Sequence, residues 1–345
     1  MTGNPGTRGK SAAMAAIFCA LCLSALASLC AGSSDIGPAD AAAALFGFGS
    51  ERDAFIVREI RLPRVSAALF GGAGLAVAGC ALQCVLRNPL ASASTLGISQ
   101  GAGFGAAFAI IALGAGSFRA PGPAESGGPA CVAVCAFAGA LASAAAILGL
   151  SRFWKSSPEG TILCGTAMGA MFAGATALLQ YFADEVDVAS VVFWTFGDLG
   201  RVSAGGSAAI AAAAAAITAV CASKRWSMNA LEYGDETAAS LGVRTGAFRA
   251  AMVAMCALVA AAIVSFAGVI NFVGLIAPHM ARKFVGGNYA PLVPASAMTG
   301  AALMLLSDVA ARTVAAPASL PIGAITSLLG APAFLYLLSA GGRRP

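Results

Sequence analysis

The sequence predicts an all-α, polytopic membrane protein of ten transmembrane helices, and three observations lead there. Of its 345 residues, 59% are hydrophobic and only 10% charged, against about 25% charged in an ordinary soluble domain, and the mean hydropathy is +0.85. The apolar residues fall into ten runs, most of them near the roughly 20 residues that cross a bilayer. Glycine supplies 42 residues, which with abundant alanine suits helices packed closely inside a membrane. A soluble fold of this size has too little polar surface to cover so much apolar area. A cytosolic enzyme, a disordered chain and a secreted disulfide scaffold are thereby excluded.

The first run, 12–31, is longer than the apolar core of a signal peptide and reads as a span. The second and third, 65–86 and 96–115, flank a turn containing Asn88-Pro89-Leu90, where Pro89 stops a helix and Asn88 is able to bond the freed backbone. Runs at 130–150 and 161–183 follow the turn-rich segments Pro121–Gly128 and Ser156–Gly160. Runs 204–222, 248–267, 269–285, 291–311 and 320–340 complete the set; the eighth is short and broken by Pro278. Gly101 with Gly105, and Gly165 with Gly169, have the small-x-x-x-small spacing that lets helix backbones approach. Two connections are long, 33–60 and 223–247. The whole of 1–345 reads as one transmembrane domain.

Lysine and arginine orient the spans. With the N-terminus in the cytoplasm, ten spans place the C-terminus there too, with 13 basic residues inside and seven outside, and four acidic residues inside and 11 outside. The net charge of +5 is then an orientation signal. No basic stripe interleaved with aromatics points to nucleic acid. Four of the outside arginines crowd into 52–64, including Arg58, Arg61 and Arg64, against the orientation rule. Charge alone leaves two readings open, anchoring to lipid headgroups or docking of an acidic partner.

Chemistry-bearing motifs are scarce. One histidine, His279, rules out a histidine metal site or triad, and the position after Pro278 suits a structural role. Gly9-Lys10-Ser11 ends like a phosphate loop, but Asn4 stands where that loop needs glycine, and no strand precedes it. The ten cysteines lie in or beside apolar runs without metal-ligand spacing and read as small buried thiols. Asp308 and Arg312 stand one turn apart at the end of the ninth run, a helix-end ion pair. With so little intramembrane charge for a relay, an ion-coupled carrier and a membrane-embedded enzyme are the weaker alternatives to a transporter driven by another chain.

Several ordered motifs carry a resemblance. Arg61-Leu62-Pro63-Arg64, Gly79, Gln83, Arg87-Asn88-Pro89-Leu90-Ala91 and Leu96–Ala102 read as one unit. Gly268–His279 with Arg282, Ser307-Asp308, Ala311-Arg312, Leu320–Gly323, Gly330-Ala331-Pro332 and Phe334 read as a second, with Trp194 and Gly197 between them. Over about 55–340 the chain resembles the FecCD-type ABC permeases, importers of iron-siderophores, haem or cobalamin. The resemblance implies ten transmembrane helices in which helices 2–5 and 7–10 form an inverted repeat, beginning near Val65 and Phe248. It implies a homodimer in the inner (plasma) membrane, two cytoplasmic ATPase subunits, an extracytoplasmic substrate-binding protein, and no cofactor or metal of its own. ATP hydrolysis would belong to the separate subunit, and an iron-siderophore is the leading cargo.

Carried onto this sequence, the resemblance assigns Arg61, Arg64 and Arg312 to binding-protein docking, which favours the partner over the headgroups. It assigns the segment 223–247 to ATPase coupling, with Leu231, Gly234, Glu236, Leu241 and Gly242 as contacts. There Asp235 and Glu236 suit a helix start, Gly242 suits a helix end, and Leu231, Leu241 and Val243 offer apolar contacts. Asn88 and Leu90 are either a plain helix-ending turn or a cytoplasmic gate. Thr166, Gly169, Ala173, Thr326 and Gly330, on the fifth and tenth helices, are the expected walls of the pathway.

Overall fold

The computed structural model describes residues 5–32, 36–48, 50–116, 128–153 and 157–341, with backbone alone for 5–8 and 337–341. Asp35, Arg119, Glu125, Lys155, Arg343 and Arg344 of the charge count, and Pro121–Gly127 and Ser156 of the predicted turns, lie outside the described residues. The described residues are helical with no strand. The elements are α1 (Pro5–Cys30), α2 (Pro38–Phe46), α3 (Glu51–Phe55), a π-helical turn (Ile56–Arg61), α4 (Leu62–Val85), α5 (Ile98–Leu113), α6 (Pro129–Phe153), α7 (Pro158–Phe182) and α8 (Glu185–Thr195). There follow α9 (Ala204–Ser223), α10 (Arg225–Glu232), α11 (Asp235–Ser240), α12 (Thr245–Ala267), α13 (Val273–Val285), α14 (Tyr289–Thr313) and α15 (Ile322–Gly341).

Each of the ten apolar runs is a helix. Seven are long and apolar enough to cross a membrane, α5 and α15 are shorter apolar helices, and α13 has only 13 residues. Polar side chains start several of them, as unpaired N–H groups require. Ser157 accepts from Gly160 N–H (3.2 Å) before α7, Ser203 from Gly206 N–H (3.2 Å) before α9, and Asn288 from Ala290 N–H (2.9 Å) before α14. Pro158 follows its cap at the first helical position, where its missing N–H costs nothing.

Pro278 does not break the eighth helix, contrary to expectation. It sits inside a continuous α13, and the helix is short because 268–272 lie outside it. The carbonyl that Pro278 leaves without its i+4 donor is that of Gly274. Gly79 of α4 packs directly on this carbonyl, where any β-carbon would collide with it. The proline thus opens a carbonyl, and a glycine on the neighbouring helix closes over it.

By contacts the chain divides into two compact units that interleave in sequence. The first comprises Met1–Cys80, Leu199–Trp226 and Phe272–Pro345, and so gathers α1, most of α4, α9, α13, α14 and α15. Here α14 packs on α1, α9, α13 and α15, and α4 meets α13 at Gly79–Gly274 and α14 at Gly72–Gly300. The second comprises Ala81–Asp198 and Ser227–Asn271, with α5 to α8 and α10 to α12. Here α5 packs on α6, α7, α8 and α12. A β-carbon on Gly101 would stand 2.5 Å from the Gly139 carbonyl, so α5 and α6 touch backbone to backbone. The leading helix of each expected repeat, α4 or α12, therefore packs with later helices of the other.

The two units share a further device. In the second, Gly97 precedes α5 in the left-handed region (φ 72°) and sits against Gly165 and Gly169 of α7. In the first, Phe272 precedes α13 in the same region (φ 64°), and a β-carbon on Gly330 of α15 would lie 2.5 Å from the Phe272 Cβ. In each unit a short helix thus begins with a left-handed residue seated on a glycine of a longer helix, α7 or α15. Apolar surface remains uncovered elsewhere: only 11% of the apolar window in α1, and 11% in α7, is buried inside the chain. Lipid or another chain has to cover it.

Gly79→Val should sharply lower the yield of folded protein in detergent, because its side chain meets backbone rather than a movable side chain. Gly103→Ala, with nothing within 4 Å of the added carbon, should leave the yield within about 0.5 kcal/mol of wild-type stability, as for a substitution with no packing conflict. Size-exclusion profiles and thermal melts of the two variants read the difference.

Candidate functional site

Two clusters of charged residues gather the predicted site positions, one in each unit. The first is built around Asp308 in α14, which is fully buried. Arg64 Nε donates to its Oδ1 at 2.7 Å, and Arg312 Nη2 lies 2.8 Å from Oδ2. The expected Asp308–Arg312 helix-end pair is therefore present, and Arg64 joins it from 244 positions away. Arg312 also reaches the end of α1, donating to the carbonyls of Ala31 (2.6 Å) and Ser28 (2.9 Å) and to the Ser28 hydroxyl (2.9 Å). Arg61 donates to the Leu29 and Cys30 carbonyls at 2.6 and 2.9 Å.

The expected docking trio is thus brought together, but with a different employment. Arg61 is 4% exposed, and its assignment as a docking contact is corrected: its guanidinium is turned inward onto α1 carbonyls. Arg64 and Arg312 keep side-chain exposures of 16% and 10%. The cause is the π-helical turn Ile56–Arg61, where the Leu62 N–H reaches back five residues to Val57. That wider turn rotates the arginines relative to a regular α-helix and is not legible from residue spacing. Arg52 and Arg58 are exposed beside it; Arg58 donates to the Leu45 carbonyl at the end of α2 (3.2 and 3.0 Å).

The second cluster is the 223–247 connection, folded as α10 and α11. Met228 and Leu231 are fully buried, which corrects Leu231: it holds α10 down and offers no surface to a partner. Leu241 is 67% exposed, as are Trp226 at 74% and Tyr233 at 80%. Gly234 (φ 111°) precedes α11, whose first turn carries Asp235 and an exposed Glu236. Gly242 (φ 83°) ends α11, with its N–H on Ala239 and the Val243 N–H on Ala238, the pairing of a left-handed helix stop. Trp226 and Tyr233 lie outside the apolar positions that spacing singled out. Their signal was their size on an otherwise polar segment.

At the Asn88–Leu90 turn, Asn88 Oδ1 accepts from the Leu90 N–H at 2.8 Å, and Leu90 is exposed. Arg87 takes the left-handed stop position (φ 47°) that glycine usually fills. Of the expected pathway residues, Thr166 and Ala173 are exposed on α7. Gly169, Thr326 and Gly330 are buried. Gly169 seats Gly97, and Gly330 seats Phe272. Thr326 and Gly330 border an apolar pocket of about 170 Å³ with Phe272, Ile276, Met280 and Leu303.

The model of the FecCD transport family matches residues 20–340. The ABC transporter permease protein MJ0087 of Methanocaldococcus jannaschii is 45% identical over 318 residues, 92% of this chain and 91% of that one. The vitamin B12 import system permease protein BtuC of Escherichia coli is 36% identical over 321 residues, 93% of each chain. A solved structure described as an inward-facing conformation of a metal-chelate type ABC transporter superposes with a TM-score of 0.80 at 26% identity, covering 96% of this chain and 99% of the other.

Asp308→Asn should destabilise the protein by about 3–5 kcal/mol, the cost of leaving buried charges without their partner. The exposed Glu59→Gln should change stability by less than about 1 kcal/mol. Melts of both variants in the same detergent check this.

Proposed function

This chain belongs to the FecCD transport family and is an ABC importer permease, a transport component rather than an enzyme; from that premise we propose that it carries a bulky metal chelate handed to it by a binding protein. The metal-chelate description of the structural neighbour and the vitamin B12 permease among the relatives support the cargo class. Ferric siderophore and cobalamin are its two leading members, and the delivering protein selects between them. We place the N- and C-termini in the cytoplasm of a plasma-membrane protein that pairs as a homodimer. The uncovered apolar residues of α7, including Leu163, Met171 and Leu178, suit that second copy and lipid.

The observation that carries the coupling assignment is the surface of α10 and α11. Leu241 projects beside Gly242 and Glu236, with Tyr233 and Trp226 exposed on the same segment. An exposed leucine at the end of a short, well-capped helix is an anchor for a groove on a partner, here the ATPase. At the other cluster, Arg64 and Arg312 are the docking residues, joined by Arg52 and Arg58, while Arg61 braces them from within. Planar guanidinium groups suit carboxylates on an acidic binding protein and act chiefly on its approach and orientation.

Two outcomes are expected from the reconstituted importer. Leu241→Asp should cut ATP-driven uptake by at least about tenfold while leaving the permease folded, as expected for loss of an interface anchor; co-purification of the ATPase and uptake of ferric siderophore and of cyanocobalamin are the measurements. Undiminished uptake would remove Leu241 from the coupling surface, and uptake without the ATPase would remove the importer reading itself.

A further inference from the structure

Arg249, in the first turns of α12, is bonded in two directions. Its Nη2 lies 3.1 Å from both carboxylate oxygens of Asp235, the first residue of α11. Its Nε donates to the Val85 carbonyl at 2.6 Å. Val85 is the last residue of α4, and its carbonyl has no partner within the helix. A second tie lies alongside, where the Cys84 thiol donates to the Met228 carbonyl of α10 (3.5 Å). Both short helices are thus fastened to the last turn of α4. That turn leads through Leu86, buried, and Arg87, held left-handed, into the Asn88–Leu90 turn.

The geometry points to Arg249 as the positioning residue that transmits displacement of α10 and α11 to the Asn88–Leu90 turn. Resting on the assignment of these helices to ATPase coupling, it goes further by naming the path and its residue. A guanidinium suits the role: its planar fork grips a carboxylate on one side and a carbonyl on the other at once, which a lysine ammonium does not reproduce. The two grips are also unequal. Asp235 is 42% exposed in its side chain, so water weakens that pair, whereas Val85 is fully buried. Loss of Asp235 therefore loosens the link, and loss of Arg249 severs it. The Cys84–Met228 contact does not replace it, because a thiol is a weak donor.

The test is hydrogen exchange followed by mass spectrometry on the full permease–ATPase complex, nucleotide-free and trapped with ATP and vanadate. In wild type, trapping should change exchange in both 229–243 and 86–97. In Arg249→Ala the change at 229–243 should persist, while the change at 86–97 falls by about fivefold or more, the low end of coupling between distinct sites. Asp235→Asn, which keeps the Val85 bond, should fall between the two and serves as the reading should Arg249→Ala not fold. Arg249→Lys should behave more like Asp235→Asn than like wild type. An unaltered response at 86–97 in the folded Arg249 variant, or in Asp235→Asn where only that variant folds, overturns the inference. Absence of any change at 229–243 in wild type overturns the coupling assignment instead.

Discussion

The last carbonyls of a helix have no donor within it. In this protein arginine side chains supply it. Arg61 and Arg312 cover the end of α1, Arg58 the end of α2 and Arg249 the end of α4. Positive charge at a helix C-terminus also opposes the helix dipole favourably. Because each guanidinium holds five donors in one plane, it caps a carbonyl and still meets a carboxylate. Arg312 does so with Asp308 and Arg249 with Asp235. The charged cluster of each unit contains such a doubly used arginine.

Within each unit, cohesion comes from close backbone approach. Helices that are apolar on every side gain little from the hydrophobic effect once in lipid, and small residues let them touch instead. Gly72 and Gly79 on α4, Gly101 on α5, and their partners Gly300, Gly274 and Gly139 serve that purpose. The same closeness stabilises strain. Phe272 is held in a left-handed conformation that costs a bulky residue about 1–3 kcal/mol, and it persists because Gly330 leaves room for its Cβ. Arg87 bears similar strain beside the Asn88–Leu90 turn. The two strained residues adjoin helix ends, Phe272 at the start of α13 and Arg87 just after α4.

Much of this was legible beforehand, and the failures share a cause. The ten runs mark ten helices, Asp308 and Arg312 pair as their spacing indicates, and Gly242 ends α11. The burial of Gly169, Thr326 and Gly330 was not legible, because helix phase is read from contrast between a polar and an apolar face. Helices α7 and α15 have no such contrast, so the side that meets protein is decided by which neighbour fits against a glycine. Leu231 was misread for a related reason: on α10 a leucine marks either a foot or a hand, and only the packing of Met228 beside it identifies the foot. Arg249 gave no signal, since its partners belong to α4 and α11 and nothing in its neighbours names them.

Membrane residence, the count of apolar helices and membership of the family were determined by the sequence itself, because they depend on composition, run length and local motifs that need no partner. Tertiary structure alone decided which arginines are spent inside the protein and which remain at its surface. Arg61 turns inward and Arg64 reaches Asp308 through hydrogen bonds spanning 32 and 244 positions of the chain. The energy of a buried charge depends on the donors and acceptors within about 4 Å of it, and those come into being only when distant helices are packed together.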